Sequence, residues 1–160
     1  MSKIIIPTDF TVESLQLVEY AILNFPNTKL DIVLIAGFWL PDSKWGLIHF
    51  SEREQIAKQI SQEFNEEKRR LLLENKGTIE NISIKLFSGF NSFAFQNFLE
   101  QIDAENAIIP KNSKLQYQSK KWFDTTKFIK RGVKNVIEVS YETINKIPQK
   151  EYSLISLFNF

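Results

Sequence analysis

Short, uninterrupted apolar runs separated by helical patterns constrain this chain more than any other feature. Residues 4–6 (III), 32–36 (IVLIA) and 107–109 (AII) contain no polar residue. Such runs are typical of strands in a parallel sheet that is covered on both faces. Residues 79–86 instead alternate between apolar and polar, which indicates a strand with one wetter face at a sheet edge. Residues 133–139 form the predicted fifth strand.

Segments with helical periodicity lie between these runs. Four helices are predicted. The first is capped by Thr11 and ends at Pro26 and Asn27, and the second runs from a capping box at Ser51 and Glu54 to a stop at residues 75–77. The third begins at Asn91 or Ser92, and the fourth lies around residues 122–131 with Gly132 as its C-cap. Strands and helices that alternate in this way predict an α/β fold. We expect a three-layer α/β/α sandwich around a five-stranded, mostly parallel sheet.

Composition narrows the possible functions. The 160 residues fit one domain, and a formal net charge of +1 gives no basic surface that would favour nucleic acid. The chain has no cysteine, which excludes disulfides and thiolate chemistry and fits the cytoplasm. The sequence shows no targeting segment and no apolar run long enough to cross a membrane. We expect a cytoplasmic protein that binds neither nucleic acid nor membranes.

Three segments, in this order, resemble the universal stress protein family. Residues 3–14 (KIIIPTDFTVES) resemble a strand that ends in Pro-x-Asp-Phe-Ser before a helix beginning with Glu-Ser. The second match begins at residues 87–90 (FSGF) and extends through the next helix to residues 104–109 (AENAII). It resembles the family's helix that begins after a glycine, together with the fourth strand that follows. Residues 133–139 (VKNVIEV) resemble the family's last strand. The resemblance implies a divergent UspA-like member of the adenine nucleotide alpha hydrolase-like superfamily. It also implies a Rossmann-like sheet in the order 3-2-1-4-5.

The loop after the fourth strand departs from the family pattern. Nucleotide-binding members carry Gly-x-x-Gly, nine residues, and then Gly-Ser or Gly-Thr, because glycine lets backbone amides approach phosphates. Here Pro110 and Ser113 stand at the first two glycines, and Trp122 or Phe123 stands at the last. Proline has no N–H to donate, the aromatic rings take up space, and Asp124 adds a negative charge. The departure predicts that tight ATP binding is lost.

The resemblance also suggests where a ligand would lie. Asp9 follows the first strand, at the end of the sheet where open α/β folds bind ligands, and the family contacts a nucleoside at this position. Thr8 and Ala36 share the crevice, so these three residues are the candidate cofactor-binding residues. The alternative is that Asp9 only caps the following helix. His49 is the only histidine, and neither a catalytic group nor a metal site is predicted.

Two functions remain open. The first is a non-enzymatic stress-response or regulatory module with no cofactor, which acts as a homodimer formed through the fifth strand, as the family resemblance implies. The second is a sensor that binds ATP, AMP or another small molecule in an altered crevice. Residues 1–140 form the predicted domain, and residues 141–160 are an apolar extension that docks on the domain or on the dimer partner. An aromatic loop with Trp39 and Trp45 either covers the crevice or is held by its own aromatics.

Overall fold

A computed structural model describes residues 1–111 and 115–140. Within them six strands occur: β1 (Ser2–Pro7), β2 (Leu30–Phe38), β3 (Ile79–Phe87), β4 (Asn106–Pro110), β5 (Trp122–Phe123) and β6 (Asn135–Val139). The helices are α1 (Gln16–Asn24), α2 (Lys44–Ile48), α3 (Glu52–Gln59), α4 (Gln62–Glu74), α5 (Ser92–Ile102) and α6 (Thr126–Gly132), with a 3-10 turn at Glu13–Leu15 before α1. The α/β class is therefore confirmed.

The sheet has the expected strand order. Its strands run β3-β2-β1-β4-β6, and all four pairings along this path are parallel. With β6 as the predicted fifth strand, this is the order 3-2-1-4-5. The short strand β5 lies off the path and pairs antiparallel with the end of β2.

Helices cover both faces of the sheet, which gives the predicted three layers. Ile4, Ile6, Ile32 and Leu34 face one way and pack with residues of α1 and α4 that include Leu17, Val18, Phe64 and Leu71. Ile5, Val33 and Ile35 face the other way and pack with residues from α5 onwards that include Phe95, Leu99, Ile129 and Val133. Two-sided burial explains why these strands contain no polar alternation.

Strand β3 is an edge strand with one wetter face, as predicted. Its register with β2 shifts between the pairs Leu30 with Ile79 and Asp31 with Asn81, so Glu80 is an extra residue. The shift explains why Ile79 and Ile82 are both buried although they are three positions apart.

Two helix predictions are wrong in detail. The helix expected from Ser51 to residues 75–77 is two helices, because the side chain of Ser61 accepts a hydrogen bond from the amide of Phe64 and begins α4 anew. The helix expected around residues 122–131 begins only at Thr126, with Val133 after its last residue. Trp122 and Phe123 instead form β5, because they pair with Phe38 and Gly37 of β2.

Some predictions fall outside the described residues. The docking of residues 141–160 and the position of Ser113 are among them, and so both stay predictions. Among the helices formed by residues 1–111 and 115–140, none combines the length and apolar character needed to span a bilayer.

Candidate functional site

The turn after β1 brings the predicted site residues to the carboxyl end of the sheet. The amide of Thr8 donates to the carbonyl of Ile35 at 2.9 Å, which places Thr8 beside Ala36. The hydroxyl of Thr8 lies 3.0 Å from that of Ser14 and accepts a hydrogen bond from the amide of Phe10 at 3.1 Å. Thr8 and Ala36 are both completely buried. Neither side chain therefore reaches solvent.

The carboxylate of Asp9 is bound by the chain itself. Its Oδ1 accepts hydrogen bonds from the amide and hydroxyl of Thr11, at 3.1 and 2.5 Å, and its Oδ2 accepts one from the amide of Gln116 at 3.1 Å. The hydroxyl of Thr11 in turn accepts the amide of Ser14 at 3.2 Å. Asp9 thus holds the turn that leads into α1 and links it to the segment after β4, and only 8% of its surface is exposed.

Tyr117 connects the same segment to β1. Its hydroxyl donates to the carbonyl of Thr8. Burial raises the pKa of Tyr117 above its ordinary value, and the nearby charges of Asp124 and Asp9 raise it further. The phenol is therefore neutral and remains a hydrogen-bond donor at physiological pH.

Aromatic side chains fill the space over the ends of β1 and β2. The ring of Trp122 lies 4.9 Å from that of Phe10 and 4.8 Å from that of Phe38, both in edge-on contacts, and Tyr117 stacks on it at 6.4 Å. We call these four residues the aromatic plug. Phe10, Phe38 and Trp122 are buried, and they pack with Ala36 in one cluster.

Strand β5 fixes Trp122 of the plug to the end of β2. Phe123 lies so close to Gly37 that a Cβ atom there would meet its ring at 2.3 Å. Phe123 also packs against Trp39, with ring centroids 4.4 Å apart. The loop after β2 continues in the same way, because Phe50 stacks on Phe38 at 5.5 Å and Trp45 packs on His49 at 4.2 Å. The loop is thus held by aromatic contacts within the chain.

The structure brings Thr8, Asp9 and Ala36 together, although any ligand contact of theirs stays a prediction. The sequence reasoning did not place Phe10 and Tyr117 at this site. A weak signal existed for Tyr117, since it lies in the polar stretch after β4 where a phosphate loop was expected. Phe10 belongs to the quoted PTDF motif, but its ring direction depends on a left-handed backbone (φ 64°) that the motif does not reveal.

An open groove of about 860 Å³ lies elsewhere, on the face of β2 and β3 that faces α5. Lys3, Asp31, Asn81, Ser83 and Lys85 line its floor. Residues of α5, among them Asn97 and Gln101, also line it. None of Thr8, Asp9 and Ala36 lines the groove.

The strand order and the helix layers define the fold. A parallel sheet in the order β3-β2-β1-β4-β6 with helices on both faces is the Rossmann-like fold of the universal stress proteins. Hypothetical protein MJ0577, a similar solved structure, has 16% identity and a TM-score of 0.51, over 89% of this chain and 98% of that chain. A universal stress protein family member from Burkholderia pseudomallei has 13% identity and a TM-score of 0.45, over 86% of this chain and 95% of that chain.

An Arabidopsis thaliana universal stress protein family protein, solved with AMP bound, has 10% identity and a TM-score of 0.45, over 89% of this chain and 94% of that chain. Likeness at these identities concerns the fold. The sequence itself matches no protein-family model and no curated protein.

Proposed function

We propose that the protein is a non-enzymatic regulatory module with the universal stress protein fold, which acts in the cytoplasm through protein contacts and not through a bound nucleotide. The observation that carries the proposal is the aromatic plug. It occupies the carboxyl end of β1 and β2, where open α/β sheets receive their ligands. The chain's own aromatic side chains thus fill the space that a ligand would need.

Sterics support this proposal. A nucleoside over Thr8 and Ala36 would have to displace Trp122, whose ring contacts Phe10 and Phe38 below 5 Å. Exposing one large apolar side chain costs roughly 1.5–3 kcal/mol. Moving Trp122 also breaks the pairing of β5 with β2, so the ligand would compete with several contacts together.

Electrostatics act in the same direction. Asp9 and Asp124 both raise the pKa of Tyr117, so two carboxylates lie near the crevice. They disfavour a polyphosphate. Pro110, at the end of β4, has no N–H to donate to a phosphate. Hydrogen bonds to charged groups contribute about 1.5–3 kcal/mol each, and the binding energy of a phosphate cradle depends on them.

Titration calorimetry with ATP and magnesium tests the proposal, with AMP in a parallel titration. We expect no saturable heat with either nucleotide up to about 1 mM, which corresponds to less than about 4 kcal/mol of binding free energy. A low-micromolar isotherm, or a nucleotide that co-purifies with the protein, would contradict the proposal and favour a nucleotide sensor.

The proposed module assembles as a homodimer through β6. This strand is an edge of the sheet among the described residues, since β4 is its neighbour on one side only. The amide of Asn135 donates to Glu105, and the carbonyl of Val139 accepts from Lys111. In a parallel ladder this alternation turns the backbone groups of Val136 and Glu138 outwards. Unpaired groups on an edge favour pairing with a second copy, and a two-fold contact closes as a dimer.

A further inference from the structure

The loop after β2 exposes an unusually apolar surface. Trp39, Leu40, Trp45, Leu47 and Ile48 are all exposed, and 74% of both Trp45 and Ile48 is accessible. We call these five residues the apolar loop surface. Single exposed apolar residues are common, but five within ten positions form a patch of the kind that marks an interaction site.

The loop has a defined conformation that presents this surface outwards. Ser43 caps α2 by accepting a hydrogen bond from the amide of Gly46 at 3.0 Å, and Gly46 packs closely against Pro41. The inward contact of the loop is already made by Phe50, which stacks on Phe38. Trp45 and Ile48 lie outside this inward contact and keep most of their apolar surface exposed.

The chain itself supplies an apolar segment, which follows the last described residue at the carboxyl end of the sheet. Residues 141–160 contain nine large apolar or aromatic side chains: Tyr141, Ile144, Ile147, Tyr152, Leu154, Ile155, Leu157, Phe158 and Phe160. They follow Ser140, which comes directly after β6 at the carboxyl end of the sheet. The carbonyl of Ser140 accepts a hydrogen bond from the hydroxyl of Tyr20, on the α1 side. Phe50, which anchors the loop, joins the cluster of Ile56 and Ile60 and so lies on that same side.

We propose that residues 141–160 of the same chain cover the apolar loop surface. Three strand spacings separate β6 from β2, which is about 14 Å, while an extended chain advances about 3.3 Å per residue. A few residues thus reach the loop, and the apolar end of the segment remains available for contact. The proposal does not depend on the state of the crevice or on the dimer.

Site-specific photo-crosslinking of the full chain tests this proposal. Trp45 is replaced by p-benzoylphenylalanine, and the matched control replaces Phe93, which is 77% exposed at the start of α5. Equal amounts of unlabelled and ¹⁵N-labelled chains are unfolded, mixed and refolded together before irradiation, so that any dimers contain both labels, and tryptic fragments are identified by mass spectrometry. We expect position 45 to crosslink to residues 141–160 with a yield several-fold above that from position 93, and only between fragments with the same label.

Three outcomes would overturn the proposal. The first is the absence of any crosslink from position 45 to residues 141–160. The second is equal yields from positions 45 and 93, which would indicate unspecific contact. Fragments of mixed label would show that a second copy, and not the same chain, provides the cover. Because Trp45 is largely exposed, its replacement leaves the core intact, and circular dichroism before irradiation verifies the fold.

Discussion

Phe10 has a backbone conformation that aromatic residues rarely adopt. Its φ of 64° lies in the left-handed region, where a side chain costs roughly 1–2 kcal/mol. The conformation persists because the ring is 6% exposed and packs on Trp122, and because the amide donates to the hydroxyl of Thr8. Burial of the ring outweighs the strain of the turn. One residue thus couples the end of β1 to the aromatic plug.

This balance predicts an inverted order of two substitutions. Phe10→Ala and Phe10→Gly both remove the ring and should cost about 3–5 kcal/mol. Glycine also relieves the left-handed strain, so Phe10→Gly should be more stable than Phe10→Ala by about 0.5–1 kcal/mol. Urea unfolding measures both values. The same pair at Phe38, within strand β2, is the control, and there alanine should be the more stable. The same order at both positions would contradict the strain at Phe10.

The candidate residues show what the sequence can predict at this scale. Thr8 and Asp9 could be placed at the carboxyl end of β1 because their position follows from the strand before them. The partners of Asp9 could not be placed, since Gln116 is distant in sequence and its contact depends on the path of the segment after β4. The bonds of Asp9 to Thr11 hold the turn before the 3-10 turn, whereas the helix-capping role that the sequence offered as an alternative stays a prediction.

Strand β5 is an element that depends entirely on non-local contacts. It consists of two residues, and such a strand has no intrinsic stability without its partner. Its pairing requires Gly37, because the ring of Phe123 occupies the space of a Cβ atom there. Gly37 is thus needed for close approach of a side chain, and its role in β2 differs from that of its apolar neighbours.

We predict that Gly37→Ala destabilises the protein by about 1–3 kcal/mol, because its methyl group overlaps the Phe123 ring. In a Phe123→Ala background the same substitution should cost close to nothing, which gives a coupling energy of at least about 1 kcal/mol. Chemical unfolding of the four proteins measures this cycle. Gly77→Ala is the control, since no atom lies within 4 Å of its Cβ position, and it should change stability by less than about 0.5 kcal/mol. Additive effects of Gly37→Ala and Phe123→Ala would refute the contact.

Elements with strong local patterns were predictable, and those fixed by distant partners were not. The runs of β1, β2 and β4 and the cap at Asn91, whose side chain accepts the amide of Ala94, carry their signals within a few residues. The sequence pattern predicts a helix at Trp122 and Phe123, because nothing local reveals their pairing with β2. The break between α3 and α4 had a local signal in Ser61, but the continuing apolar stripe concealed it.

At the scale of the whole molecule, the two edges of the sheet differ. At the β3 edge, the carboxylate of Glu52 accepts a hydrogen bond from the amide of Leu86 at 2.9 Å, so a side chain satisfies an outward donor. Among the described residues, no comparable side-chain contact to the outward amides of β6 occurs. An edge blocked in this way resists pairing with other chains, whereas an open one favours it. We therefore expect the proposed dimer to form through β6.

A single backbone donor tests the dimer. Glu138→Pro removes an outward N–H of β6 but leaves the bonds to β4, since edge strands tolerate proline where the N–H faces solvent. Glu138→Ala is the matched control, because it removes the same carboxylate but keeps the N–H. Both variants lose the ion pair of Glu138 with Lys130 at 3.0 Å, and such surface pairs contribute little to stability. By light scattering at micromolar concentration, we expect the wild type and Glu138→Ala to have twice the chain mass of 18.7 kDa, and Glu138→Pro to be monomeric with an unchanged circular dichroism spectrum. A monomeric wild type, or a Glu138→Pro variant that remains a dimer, would refute pairing through β6. The proposal that the crevice binds no nucleotide would then be tested by calorimetry alone.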